Sequence, residues 1–320
     1  MQNASGALFG LAFGDSLGKP TEFLTYAEIL ALHGPSGPRE LEGWPALVTD
    51  DTQMMLAVGE ALLTAELTPA ALEPVLRANF LAWAKSPDNN RAPGMTCLRA
   101  CAALEAGGPW QQATQINSKG CGANMRVAPV GLVPGLSDED RAGLAQLQAA
   151  LTHGHPTALA ASELTAFAPF WLRSGLAPAD LLPALRQRCV TQRDVYHERW
   201  LGDLHPAGQI ARGWDECAAA LDRVAVALQN PQPGDPCLAT GAGWIAEEAL
   251  ATALYCYLLS PTDPVTVIAQ GATSSGDSDS IACLAGSFAG AALGLSAWPE
   301  DWQHQIEYSY RLTTLGAAWD

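Results

Sequence analysis

Positive charge is what this 320-residue chain has least of: 17 Lys and Arg stand against 33 Asp and Glu, a formal net charge of −16. Affinity for nucleic acid is carried mainly by Lys and Arg facing phosphates, so general nucleic-acid binding is excluded, although a small anion could still bind through backbone amides. Alternating runs of Val, Ile and Thr are missing, which argues against a sheet. No flexible linker interrupts residues 1–320, which therefore read as one domain. The eight cysteines form no Cys-x-x-Cys pair and show no zinc spacing. Most sit in apolar runs such as Cys101-Ala102-Ala103-Leu104 and read as reduced, small buried hydrophobes. No positively charged signal segment opens the chain, and Asp15 interrupts the first apolar run. The uncharged stretch from Ile281 to Pro299 is too rich in Ala, Gly and Ser for a membrane span. These absences predict a cytoplasmic monomer without membrane contact. There is also no Ser-His-Asp or Cys-His motif to supply a nucleophile.

Helical signals dominate what is there. Hydrophobic residues make up 48% of the chain, which suits a large buried core. Ala-, Leu- and Glu-rich stretches predict helices over Gln53–Leu67, Pro69–Trp83, Asp138–Leu151, Pro156–Gly175, Pro178–Gln187, Trp214–Leu228 and Ala246–Leu259. Thr68-Pro69 and Ala177-Pro178 place proline in a first helical turn, and Asn230-Pro231 closes a helix. The expected architecture is all-α, a compact orthogonal bundle. Loops are expected at Pro35–Pro45, Pro87–Gly94, Asn117–Gly122 and Asn230–Gly243. Gly6, Gly10, Gly14 and Gly18 fall four apart, as do Gly286, Gly290 and Gly294, so each set lines one stripe of a helix and lets another backbone approach. Pairing of these stripes would bring Asp15 and Glu22 toward Asp277 and Asp279.

Two acidic clusters, Thr49-Asp50-Asp51-Thr52 and Asp277-Ser278-Asp279-Ser280, place carboxylates beside hydroxyls with no Lys or Arg nearby. Adjacent carboxylates repel and are costly to desolvate without a compensating cation, and hard divalent ions favour such oxygen ligands. Either run alone also reads as a helix cap or turn. Asp277 and Asp279 can converge only in a turn or an irregular first helical turn, for which Ser274-Ser275-Gly276 provides the chemistry.

Four motifs carry a resemblance over roughly residues 6 to 294. They are Gly14-Asp15-Ser16-Leu17-Gly18 leading to Glu22, Thr49-Asp50-Asp51-Thr52, Gly120-Cys121-Gly122-Ala123-Asn124-Met125-Arg126 leading to Pro129, and Gly276-Asp277-Ser278-Asp279-Ser280 before a Gly/Ala-rich helix. In this order they resemble the ADP-ribosylglycohydrolases of the dinitrogenase-reductase-activating type. Thr152-His153 and Gly243-Trp244-Ile245-Ala246-Glu247-Glu248-Ala249 are further matches.

The resemblance implies two Mg²⁺ or Mn²⁺ ions in a two-metal site at the bundle's centre, held by Thr49, Asp50, Asp51, Asp277, Asp279 and Ser280. It also implies catalytic roles for Glu22 and Asp51, and substrate binding by Gly120, Cys121, Gly122, Asn124, Met125 and His153. Cys121 stands where many relatives have Asn. Plainer readings remain for several of these residues. Glu22 could be a surface acid, Asp15 a structural acid or a support for the ligands, and His153 a capping or core histidine. Arg126 could be a buried arginine paired with an acid, and Asp88 a solvated loop acid. Arg186, Arg188, Arg193, Arg199 and Arg212, interleaved with Asp194, Glu198 and Asp203, form an exposed face or a contact for a modified macromolecule. The implied activity is metal-dependent hydrolysis of the glycosidic bond joining ADP-ribose to an acceptor. The acceptor stays open among arginine, serine, a nucleic-acid base and a small metabolite. Two alternatives are an inactive metal-dependent ADP-ribose binder and a two-metal phosphoester hydrolase.

Overall fold

Backbone meets backbone at the centre of the molecule. In the computed structural model, which describes residues 2–206 and 208–320, the Asn3–Gly18 helix runs antiparallel to the Ser278–Leu293 helix. A Cβ added at Gly6, Gly10 or Gly14 would overlap the carbonyl of Gly290, Gly286 or Ala282, and one at Gly18 would overlap the backbone of Asp279. The expected pairing of the two glycine stripes therefore holds. Residues Ala4 to Gly18 are buried all round, as a helix hydrophobic on every face must be. Phe13 sets its ring edge-on against Trp298 and Trp302, with centroids 5.4 and 5.5 Å away. Burying such a side chain contributes about 1.5–3 kcal/mol.

Helices Ala246–Leu259, Pro264–Ala272 and Pro156–Arg173 pack against Ser278–Leu293, and Ser309–Trp319 packs against Asn3–Gly18. The last residue, Asp320, accepts hydrogen bonds from the Ala4 and Ser5 amides at 2.7 and 3.2 Å, placing a carboxylate on the open N-terminal amides of the first helix. One contiguous hydrophobic cluster extends from Ala4 to Trp319. The described residues contain no strand, only isolated bridges such as Gly120 with Ile245. The all-α expectation stands.

The seven expected helices all form, Ala246–Leu259 with the expected bounds and the others with shifted ends. Gln53–Leu67 starts three residues earlier, as Asp50–Thr64, because the Thr49 hydroxyl accepts from the Asp51 amide and caps it. Pro178–Gln187 runs on to Gln192, and Trp214–Leu228 opens at Ala211. Proline stands at the first turn of Pro69–Ala84 and Pro178–Gln192, as expected, and Asn230 follows the end of Ala211–Gln229. Glu22 lies in a turn beyond the first helix, which ends at Gly18. No helix is long and apolar enough to cross a membrane among the described residues.

Candidate active site

The site grows from the N-terminal turns of two helices and the C-terminal end of a third. Asp15, fully buried near the end of Asn3–Gly18, accepts from the Thr49 and Thr52 amides at 3.0 Å and from their hydroxyls at 2.8 and 2.5 Å. Asp15 thus takes the structural role left open for it, anchoring the opening turn of Asp50–Thr64. Beyond Gly18 the chain turns tightly. The Thr21 hydroxyl reaches Gly18 O at 2.8 Å and Ser278 Oγ at 2.9 Å, fixing this turn to the start of Ser278–Leu293. Phe23 follows at φ 69°, a left-handed conformation uncommon outside glycine.

Glu22, Asp277 and Asp279 each bring a carboxylate oxygen within 4.8 Å of the others, so two positions spaced by one residue do converge at an irregular helix start. Asp50 and Asp51 complete the walls of a cavity of about 320 Å³ that Glu22, Asp277, Asp279 and Ser280 also line. The Ser280 hydroxyl donates to Asp51 Oδ2 at 2.9 Å, and the Gly94 amide donates to Asp50 Oδ2 at 3.1 Å. Thr49 is set back from the wall, its hydroxyl directed at Asp15.

Among the described residues no Lys or Arg lines this cavity. Arg91, in the neighbouring loop, is paired with Glu307 at 2.5 Å. Lys119 is held by Glu216 at 2.8 Å and by Glu247. The consequence is uncompensated negative charge. Burial, with the charge of Asp279, pushes Asp15 up to about 7 and Glu22 to about 10. Burial also raises Asp50 to about 8, chiefly against the Gly94 amide bond that opposes it, and lifts Asp51 and Asp277 well above the carboxylate range. Buried carboxylates facing one open space, with hydroxyls between them, are the donor set of a hard divalent cation, so the residues present fit the metals that the resemblance implies.

The loop opposite supplies Gly120, Cys121, Gly122 and Met125 to the cavity. Its Cys121 thiol donates to Asp277 Oδ2 at 2.7 Å, placing the residue that departs from the family pattern directly on the acidic centre. The Cys121 amide is bound to Trp244 O at 3.2 Å and the Gly120 amide faces Ser118 Oγ at 3.5 Å, which leaves fewer free amides for an anion than the glycine spacing suggested. Asn124 lies outside the cavity, donating to Ala246 O at 3.1 Å. His153 lines the cavity beside the two glycines. All eight cysteines are free thiols.

Arg126 is buried, as one reading had it, but its partners are neutral: Gln148 through side chain and carbonyl, Thr152 Oγ1, and the face of Phe80 at 4.3 Å. Asp88 does not line the cavity and accepts from the Tyr308 hydroxyl at 2.9 Å. Arg186, Arg188, Arg193, Arg199 and Arg212 pair with Asp222, Glu163, Asp215, Asp140 and Glu216. Of the interleaved Asp194, Glu198 and Asp203, only Asp194 makes such a contact among the described residues, a longer one to Arg193 at 3.5 Å; the other pairs draw on acids from elsewhere in the chain. Sequence reasoning gave no role to Phe23 and Trp244, which stack at the cavity mouth with centroids 5.7 Å apart and planes 16° apart. They are 66% and 44% exposed, and such exposure of large aromatic rings was the signal that only the structure could give.

A protein-family model described as ADP-ribosylglycohydrolase matches residues 1–319. The ADP-ribosyl-[dinitrogen reductase] glycohydrolase of Rhodospirillum rubrum is 27% identical over 308 residues, covering 95% of this chain and 90% of its own. The ADP-ribosylhydrolase ARH3 of Bos taurus is 27% identical over 337 residues, covering 94% and 88%. A solved structure named ADP-ribosylglycohydrolase-related protein complex superposes with a TM-score of 0.72 at 24% identity, over 99% of this chain and 96% of the other, and shares the fold. With the motif order, the all-α fold and a match along nearly its whole length, the chain belongs to the ADP-ribosylglycohydrolase family, a family of glycosyl hydrolases.

Proposed function

We propose that this chain is a metal-dependent hydrolase that cleaves the glycosidic bond between ADP-ribose and an acceptor: a protein side chain, a nucleic-acid base or a small molecule. One observation carries the reading. Glu22, Asp50, Asp51, Asp277 and Asp279 surround a single cavity that no cationic side chain enters. Asp50, Asp51, Asp277, Asp279 and the Ser280 hydroxyl would hold two divalent cations, Mg²⁺ or Mn²⁺, with the recessed Thr49 oxygen behind them. Bound there, such ions supply positive charge and orient the ribose hydroxyls, while the anomeric carbon develops oxocarbenium character.

The chain's own groups do the rest. Glu22, near 10 among uncompensated carboxylates, holds its proton at neutral pH. Positive charge beside a carboxylate lowers its pKa, which readies Glu22 to take a proton from the attacking water. Asp51, held by Ser280, fixes the opposite wall. Gly120, Cys121, Gly122, Met125 and His153 form the wall against which the ADP-ribose lies. The protein acts as a one-domain monomer of the cytoplasm in this reading.

Release of ADP-ribose from arginine-, serine- and base-linked substrates tests it. Turnover of at least one is expected, lost with a chelator and restored by Mg²⁺ or Mn²⁺. ADP-ribose binding without turnover on any linkage would favour an inactive binder, and cleavage of simple phosphoesters alone would favour a phosphoester hydrolase.

A further inference from the structure

Among the described residues His153 is the one imidazole on the cavity wall, and the chain behind it determines which of its nitrogens carries the proton. Its Nδ1 lies 2.8 Å from Thr152 Oγ1. The same oxygen receives a hydrogen bond from Arg126 Nη2 at 2.8 Å. A guanidinium has no acceptor, so the Thr152 oxygen must accept there, and its single proton remains to be placed. The choices are Nδ1 at 2.8 Å and the Ala149 carbonyl at 3.4 Å. The shorter, better contact is Nδ1. Arg126 cannot move away from this arrangement, because it also donates to Gln148 Oε1 and Gln148 O at 2.8 and 2.7 Å. The other edge of the ring faces the loop glycines: a Cβ at Gly122 would lie 3.0 Å from His153 Cε1, and one at Gly120 would lie 3.4 Å from Nε2.

We propose that Arg126 and Thr152 are positioning residues that hold His153 as its Nε2–H tautomer, so that the cavity carries one fixed, neutral hydrogen-bond donor for an oxygen of the bound ligand. The identity of that ligand as ADP-ribose rests on the function proposed above; the tautomer does not. Burial and the Arg126 charge push His153 down to about 3, so it stays neutral at physiological pH. A neutral donor suits this place: it can bond a hydroxyl or phosphate oxygen without adding a titrating charge beside the carboxylates.

The test reads tautomer and affinity separately. In a two-bond ¹H–¹⁵N spectrum of labelled protein at pH 7, with His153→Asn used for assignment, His153 is expected to show a protonated Nε2 and an unprotonated, hydrogen-bonded Nδ1, with or without ADP-ribose. Thr152→Val should move the Nδ1 signal toward that of an unbonded nitrogen, and Thr152→Ser should keep it. ADP-ribose affinity, measured by calorimetry with Mg²⁺ present, should fall about tenfold in Thr152→Val, recover in Thr152→Ser, and fall no further in the double variant Thr152→Val/His153→Asn than in His153→Asn alone. A protonated Nδ1 in the wild type overturns the proposal, as does an unchanged Nδ1 signal or an additive double variant. If Thr152→Val does not fold, the wild-type spectrum still decides between the tautomers. Absence of ADP-ribose binding by the wild type, with the expected spectrum, would instead count against the proposed function.

Discussion

The Ser280 hydroxyl donates to Asp51 Oδ2 at 2.9 Å, joining the first turns of two helices across 229 residues of sequence. The bond forms because Gly18 lets the start of Ser278–Leu293 lie against the end of the first helix, while Asp15 ties the start of Asp50–Thr64 to that same end. Three helix termini meet there, and the two N-terminal ones also carry the positive ends of their dipoles. Those partial charges soften the repulsion among the carboxylates without cancelling it, since burial and mutual charge still raise Asp51 and Asp277.

Asp279 is the carboxylate whose charge weighs on most of the others, raising Asp15, Glu22, Asp50, Asp51 and Asp277. Asp279→Asn should therefore have opposite effects on the two forms of the protein. Divalent-ion uptake, measured by calorimetry and metal analysis, should be lost. The metal-free variant should melt above the metal-free wild type at pH 8, by about 2–4 °C for each kcal/mol of repulsion removed. Full metal occupancy in the variant would place the site elsewhere.

The same carboxylates set the pH dependence of the metal-free protein. Asp15 and Asp50 are raised in the folded state, to about 7 and about 8, from ordinary values near 4. Above pH 4 the folded chain therefore binds more protons than the unfolded chain, and stability falls as pH rises. Their contribution is fully present below about pH 4 and is lost by the time pH passes 7 to 8. Each proton of difference steepens the fall by up to about 1.4 kcal/mol per pH unit. Denaturant melts from pH 5 to 8 with chelator should show this decline, and saturating Mg²⁺ should flatten it. A metal-free stability that rises over this range would contradict the assignment.

Much of this arrangement was legible in the sequence, for definable reasons. Glycines four apart line one stripe of a helix and let another backbone approach, so the pairing of Asn3–Gly18 with Ser278–Leu293 was expected from spacing, and with it the approach of Glu22 to Asp277 and Asp279. Helices Met95–Glu105 and Ser309–Trp319 were not anticipated, although each buries a stripe at i, i+3, i+4 and i+7: Cys97, Ala100, Cys101 and Leu104 in one, and Leu312, Leu315, Gly316 and Trp319 in the other. Asn124 was grouped with the substrate loop, although a 3₁₀ turn over Cys121–Ala123 carries it past the cavity toward Ala246. The Phe23–Trp244 stack depends on a left-handed residue at Phe23, and nothing in Thr21-Glu22-Phe23-Leu24 announces one.

The glycine seam offers a test of how packing controls the site. Gly286 lies against the Gly10 carbonyl, and a Cβ there has no room unless the helices part. Gly286→Ala should destabilise the protein by about 1–3 kcal/mol, as overpacking does. Because this seam sets where Asp279 stands relative to Gly18, divalent-ion affinity should fall as well. Gly34, whose added Cβ would meet nothing within 4 Å, is the control: with φ 78° its substitution carries backbone strain but does not touch the seam, so Gly34→Ala should leave ion affinity unchanged. Denaturant melts and calorimetry on the two variants measure both effects. Unaltered stability of Gly286→Ala would mean that the two backbones are not in contact.

Glu22→Gln separates water activation from binding. The amide keeps the side chain's shape and removes the oxygen able to take a proton from water, while Asp50, Asp51, Asp277 and Asp279 retain every other carboxylate of the cavity. Turnover should fall about 10²–10⁴-fold, the usual effect of losing a general base. The fold and ADP-ribose affinity should persist, because Glu22 is anchored through its backbone, its amide donating to Gly18 O at 3.0 Å, rather than through its side chain. One charge fewer also lowers the repulsion felt by Asp277 and Asp279, so the metal-free variant should be no less stable than the wild type. Calorimetric binding of ADP-ribose beside hydrolysis of an ADP-ribosylated peptide distinguishes the outcomes. Near-normal hydrolysis would remove Glu22 from the chemistry and transfer the role to Asp51, the other carboxylate on the cavity wall assigned to it.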